Sequence, residues 1–158
     1  MDKPLDSPVF QPLFEKMNEY SLPIQMHPRT MRGGTRYLDE ASVPKDIIGF
    51  CALTPYNWPF ETTIAMGRLV FSGIYERYPS LKALTHHMGG FVPFHTERTT
   101  YFMQGSEMRF GVDMMPKGSF TKNWAEYYKM SYSDTAWYGA TRTLMGGMIF
   151  SGRTTSSS

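Results

Sequence analysis

The stretch Leu81-Lys82-Ala83-Leu84-Thr85-His86-His87-Met88-Gly89-Gly90-Phe91-Val92-Pro93 restricts the fold more than any other part of the chain. A short apolar run stops at two adjacent histidines, then at paired glycines, then at a proline. Such a run reads as a buried strand that hands imidazole to a strand-to-helix loop. The glycines permit a sharp turn or a close backbone approach, and Pro93 suits the first turn of a following helix. Buried strands ending in titratable side chains are where α/β enzymes keep their chemistry. Two neighbours on a strand point to opposite faces, so only one of His86 and His87 can face a site from within the strand. Taken alone, either one is as readily a histidine with no part in a site.

The same order of features occurs twice more. Val9, Phe10, Leu13, Phe14 and Met17 fall at helical spacing between Ser7 and Tyr20, with Ser7 as N-cap and Pro8 at the first helical position. Pro23-Ile24-Gln25-Met26-His27 then reads as a brief strand stopped by Pro28. His27 is either a ligand or a histidine that happens to end a strand. Near the end, Lys129-Met130-Ser131-Tyr132-Ser133-Asp134 alternates like a strand and again finishes on a polar side chain. Asp134 either meets a ligand or caps the helix that Asp134-Thr135-Ala136 would open.

Between these units, residues 29–46 show no steady apolar period and read as a long loop carrying Arg29, Arg32 and Arg36. Loops of this kind line sites or are solvated excursions. A helical turn is expected from Pro44 to Pro55. The clearest helix begins at Trp58 and ends before Pro79, with Ile64, Leu69, Val70, Phe71 and Ile74 as its apolar stripe. Trp58 and Glu61 at its start either reach a site or serve as an anchoring aromatic and a helix-dipole carboxylate. Further helices are expected over 94–108, with His95 exposed, near 124–128 and over 140–150. The polar tail over 151–158 lacks core-forming residues and is expected to be disordered.

Three helix–strand units, with strands near 23–27, 81–86 and 129–134, imply an α/β fold with a parallel sheet. His27, His87 and Asp134 would then share the carboxyl edge of that sheet, and polar groups delivered by separate strands to one rim are what a site requires. At 158 residues the chain is one domain in size, and its formal charge of +2 is too small to argue for nucleic acid or an anionic membrane. No window approaches the ~20 apolar residues of a membrane span. A single cysteine, Cys51, excludes an intrachain disulfide framework and points to a reducing, cytoplasmic compartment.

Several segments together resemble the amidohydrolase-related family. They are Leu5-Asp6-Ser7-Pro8, Ile24-Gln25-Met26-His27-Pro28, Trp58-Pro59-Phe60-Glu61-Thr62-Thr63, Arg68-Leu69-Val70-Phe71-Ser72-Gly73, Glu76-Arg77-Tyr78-Pro79-Ser80-Leu81-Lys82 and His86-His87-Met88-Gly89-Gly90-Phe91-Val92-Pro93. This is the branch of the amidohydrolase superfamily that contains aminocarboxymuconate semialdehyde decarboxylase and the resorcylate-type decarboxylases. The resemblance extends to about Phe150 and implies a partial (β/α)8 TIM-like barrel over residues 1–150, covering strands five to seven with their helices.

The resemblance also implies a divalent metal, zinc or manganese, at the carboxyl ends of the strands. His27 matches the fifth-strand metal ligand. His87 begins the family pattern His-x-Gly-(Gly/Glu)-x-x-Pro and matches the catalytic histidine. Asp134 matches a seventh-strand position near the site, as a substrate-binding residue, and Arg29 beside His27 would pair with a substrate carboxylate or lie at the surface.

The family's first-strand (Glu/His)-x-His pair and its Gly-Thr-Asp-Tyr-Pro segment have no counterpart among the residues, whose four histidines are His27, His86, His87 and His95. The implied function is decarboxylation or hydrolysis of a small carboxylated aromatic or enoic molecule. The alternative is a catalytically inactive fragment, or a subunit completed by another chain; open sheet edges and exposed apolar faces would favour a homo-oligomer.

Overall fold

Three short parallel strands form the centre of the chain, in the order β1 (Pro23–Met26), β2 (Lys82–Thr85), β3 (Tyr132–Ser133). Ile24 lies opposite Ala83 and Met26 opposite Thr85, while Thr85 lies opposite Ser133. All three strands therefore end at the same level, and the next residues, His27, His86 and Asp134, leave from one rim. The computed structural model describes residues 3–28, 47–103, 111, 120–137 and 141–152, with only the backbone course of 47–54. Arg29 with the loop expected over 29–46, and the tail from 153 onward, lie outside the described residues.

A 3-10 turn at Pro8–Phe10 leads into α1 (Gln11–Glu19), which buries Phe14 against the core. The expected single helix from Ser7 is thus two, with Ser7 heading the 3-10 turn without a side-chain cap and Pro12 inside the first turn of α1.

The helix expected to begin at Trp58 instead runs unbroken as α2 (Ile47–Phe71), through both Pro55 and Pro59. Each proline removes one ladder donor. Burial of Pro59, Thr62, Met66, Leu69 and Val70 carries the helix past them. Gly73, at φ 70°, ends it and starts the single turn α3 (Ile74–Arg77).

Ile74, Tyr75, Leu81 and Ala83 continue the core from α3 into β2. After the histidines, α4 (Val92–Met103) takes Pro93 in its first turn, as the sequence implies, and His95 is exposed on it. The helix α5 (Trp124–Tyr128) is capped by the Asn123 side chain, which accepts from Ala125 N at 2.9 Å. It closes the core with Trp124, Tyr127 and Tyr128, and α6 (Thr141–Ser151) follows β3. Buried Tyr75 Oη and Ser131 Oγ share a hydrogen bond of 2.8 Å that ties α3 to the entry of β3.

No helix among the described residues is long and apolar enough to cross a membrane. Val9, Leu13, Phe60, Ile64, Met148 and Ile149 are exposed, so the described residues present apolar surface as well as a core.

Candidate active site at the carboxyl rim of the sheet

β2 ends at Thr85, one residue earlier than expected, so both histidines lie beyond the strand and the strict alternation of faces does not govern them. His86 is still extended, with φ −89° and ψ 168°. His87 and Met88 take left-handed φ values of 55° and 54°, a conformation uncommon for residues other than glycine. Strain of this kind costs about 1–3 kcal/mol per residue and persists where surrounding contacts enforce it.

Those contacts are visible. At Gly90 an added Cβ would lie 2.3 Å from the Pro59 carbonyl oxygen and 2.5 Å from Thr63 Oγ1, so only glycine lets the loop rest on α2. Thr63 Oγ1 completes the joint by donating to Pro59 O at 2.7 Å and accepting from Phe91 N at 2.7 Å.

The turn brings both imidazoles beside a third. The His27 ring lies 4.7 Å from that of His86 and 5.8 Å from that of His87, centroid to centroid. Trp58, the residue for which the sequence left two roles open, stacks on His87 at 5.5 Å and meets His27 edge-on at 5.7 Å. Asp134 joins the group through Oδ2, 2.6 Å from His86 Nδ1. His27, His87 and Asp134 are therefore gathered at one rim.

The hydrogen bonds determine which nitrogen each ring presents. A carbonyl oxygen only accepts, so Nδ1 of His27 donates to Pro28 O at 2.8 Å and Nδ1 of His87 donates to Ala136 O at 3.2 Å. Nδ1 of His86 donates to the Asp134 carboxylate, and its Nε2 accepts from Gln25 Nε2 at 2.9 Å. All three rings are thus held through Nδ1–H, which fixes the tautomer and leaves the Nε2 lone pair open on His27 and His87, while that of His86 is taken by Gln25. His87 Nε2 is buried without a partner; so are Asn57 Nδ2 and Thr62 Oγ1, which flank Trp58 and Glu61 on α2. Buried polar atoms left unpartnered call for an explanation, and a bound ligand is one.

Glu61, Thr62 and Ala65 line a small recess with Met26, His27 and Pro28. Burial pushes the Glu61 carboxyl above the usual carboxylate range. A larger cavity of about 280 Å³ opens beyond the turn, bordered by Met66, Met88, Gly89, Ser133, Thr135 and Gly147.

Gln25 was not among the residues singled out in the sequence, although the period of two already puts it on the same face of β1 as His27. His86 stands outside the family pattern, which only His87 begins.

The model for the amidohydrolase family matches residues 1–138. The chain belongs to the amidohydrolase family. Among relatives of this amidohydrolase-family chain, the 2-amino-3-carboxymuconate-6-semialdehyde decarboxylase of Dictyostelium discoideum is 32% identical over 92 residues, 58% of this chain and 23% of that protein. The solved 5-carboxyvanillate decarboxylase of Sphingomonas paucimobilis superposes with a TM-score of 0.69 at 26% identity, covering 96% of this chain and 42% of the other.

The dihydroxybenzoic acid decarboxylase of Polaromonas sp., solved with bound manganese and the inhibitor 2-nitroresorcinol, gives a TM-score of 0.67 at 22% identity, covering 94% and 42%. The chain therefore spans under half the length of these proteins, and its α/β architecture is that of a partial barrel. Manganese in the Polaromonas protein supports a divalent metal in the amidohydrolase family. The described residues do not by themselves fit such a metal, since no group of three His, Cys, Asp or Glu side chains among them is arranged to hold an ion.

Proposed function

We propose that this chain carries the proton-transfer histidine of a decarboxylase acting on a small aromatic carboxylate. The observation that carries the reading is His87 itself. Its Nδ1–H is held by Ala136 O, its Nε2 is buried and unpartnered, and Trp58 stacks against the ring.

As imidazolium, His87 would donate the Nε2 proton to the ring carbon that bears the carboxylate. The bond from that carbon to the carboxylate then breaks, carbon dioxide leaves, and its bonding pair restores the aromatic ring. The imidazole left behind is the Nδ1–H tautomer that the Ala136 carbonyl already holds. An imidazole near neutrality suits this transfer. The decarboxylases among the relatives favour this over hydrolysis.

In this reading His27, whose Nδ1 is bonded to Pro28 O, would offer Nε2 as one ligand to a divalent metal whose other ligands lie outside the described residues. Whether zinc or manganese fills that site is read from metal content. Arg29 is the proposed partner of the substrate carboxylate. Asp134, expected to meet substrate, has both oxygens engaged within the chain, by His86 and by Ala136 N. The lone Cys51 suits a cytoplasmic setting.

Carbon dioxide release from 2,6-dihydroxybenzoate or 5-carboxyvanillate, by the full chain supplied with manganese, tests the reading. Release is expected; a folded chain that releases none contradicts it. One observation favours a second reading, a chain that acts only when completed by another: the described residues hold no three-ligand group. Metal-free protein after manganese loading, together with an oligomer in sedimentation, would support that second reading.

A further inference from the structure

We infer that Asp134 is a positioning residue that sets the tautomers of His86 and His87 at once, a role that rests on the reading of His87 above. The two carboxylate oxygens are used differently. Oδ1 accepts from Ala136 N at 3.0 Å and closes a turn over 134–136. A side-chain oxygen that bonds the backbone two residues on shapes the chain as a backbone turn would. That turn aims the Ala136 carbonyl, and the same carbonyl accepts the His87 Nδ1 proton.

Oδ2 accepts from His86 Nδ1 at 2.6 Å, which leaves His86 Nε2 to accept from Gln25. The backbone N of Asp134 donates to Thr85 O at 3.1 Å, so the residue is anchored to the end of β2 independently of its side-chain bonds. Gln25, His86 and Asp134 consequently run as one relay across all three strand ends. His87 is held from the far side of the same carboxylate. A proton-transfer group must present the correct nitrogen to the reacting atom before its pKa matters. Asp134 supplies that condition to His87 without touching it, and His86 shares the carboxylate.

The chemistry separates the two oxygens experimentally. In Asp134→Asn the amide oxygen can still accept from Ala136 N, but the amide nitrogen now faces His86 Nδ1 and cannot accept from it. In Asp134→Ala both bonds go. The test is nitrogen-15 NMR of the full chain labelled at histidine, with His86→Ala and His87→Ala used to assign the rings and circular dichroism to confirm folding.

In the wild-type chain His86 and His87 should both be Nδ1–H tautomers in their neutral forms. Asp134→Asn should switch His86 to the Nε2–H form and leave His87 unchanged, whereas Asp134→Ala should remove the Nδ1–H preference of both. His86→Ala should leave the His87 tautomer intact.

A neutral wild-type His87 in the Nε2–H tautomer, or an unaltered His87 in folded Asp134→Ala, overturns the inference. So does a His86 that keeps its tautomer in Asp134→Asn. These outcomes are read without substrate, so they stand apart from whether the chain decarboxylates anything.

Discussion

The indole of Trp58 stacks on the imidazole of His87 with ring centroids 5.5 Å apart and planes 25° apart. Because Trp58 also meets His27 edge-on, one side chain of α2 sets the spacing between rings delivered by β1 and β2. Trp58→Ala is expected to lower the unfolding free energy by about 2 kcal/mol, below the usual range for a buried tryptophan because Trp58 is only half-buried. Trp58→Phe should recover most of the loss. Urea unfolding checks this, with the midpoint moving and the slope unchanged.

Thr63 joins α2 to the turn after His87 by donating to one backbone group and accepting from another. Thr63→Val keeps the shape but leaves Phe91 N without its partner, at a cost of about 1–3 kcal/mol. The same variant should loosen the His87 turn before the whole chain unfolds. Amide hydrogen exchange at Phe91 would then rise by more than exchange in the buried part of α2.

Gly90 and Gly111 both have positive φ values, 65° and 68°, but Gly90 also has ψ −130°, outside the left-handed helical region, and is pressed against backbone. Gly111→Ala should cost about 1 kcal/mol, the left-handed penalty alone. Gly90→Ala meets the Pro59 carbonyl as well and should cost clearly more, because backbone must move. Paired thermal melts of the two variants decide it; equal losses would mean the loop does not rest on α2 as described.

Burial pushes the Tyr75 and Tyr128 hydroxyls from 10.0 up to about 12. A proton held more tightly in the folded state gives stability that is complete below the unfolded value and is lost as pH rises through the folded one. Stability should therefore be level with respect to these groups below pH 10 and fall between pH 10 and about 12. Replacing both by phenylalanine should flatten that decline. The measurement is urea unfolding across the alkaline range.

The parallel sheet was legible because two short apolar runs and one alternating run each ended in a polar side chain, and that placed His27, His87 and Asp134 on one edge. Helix boundaries were less so. Pro55 read as a stop and Pro59 as part of a helix start, yet both lie inside α2, whose buried face outweighs the two lost donors. The role of His86 was hidden by treating it as a strand residue, whereas the left-handed turn at His87 lets both rings approach His27. No local pattern announces the Ala136 carbonyl as the partner of His87, since Ala136 lies 49 residues further on, in the segment that follows β3.

The claim on which the account turns is that His87 moves the proton. It is tested most directly by the rate of carbon dioxide release from 2,6-dihydroxybenzoate, compared between the wild-type chain and His87→Ala at equal manganese and equal folded protein. The account predicts a fall of roughly 100-fold or more, the scale of a positioned acid–base group. A variant that matched the wild-type rate would contradict it.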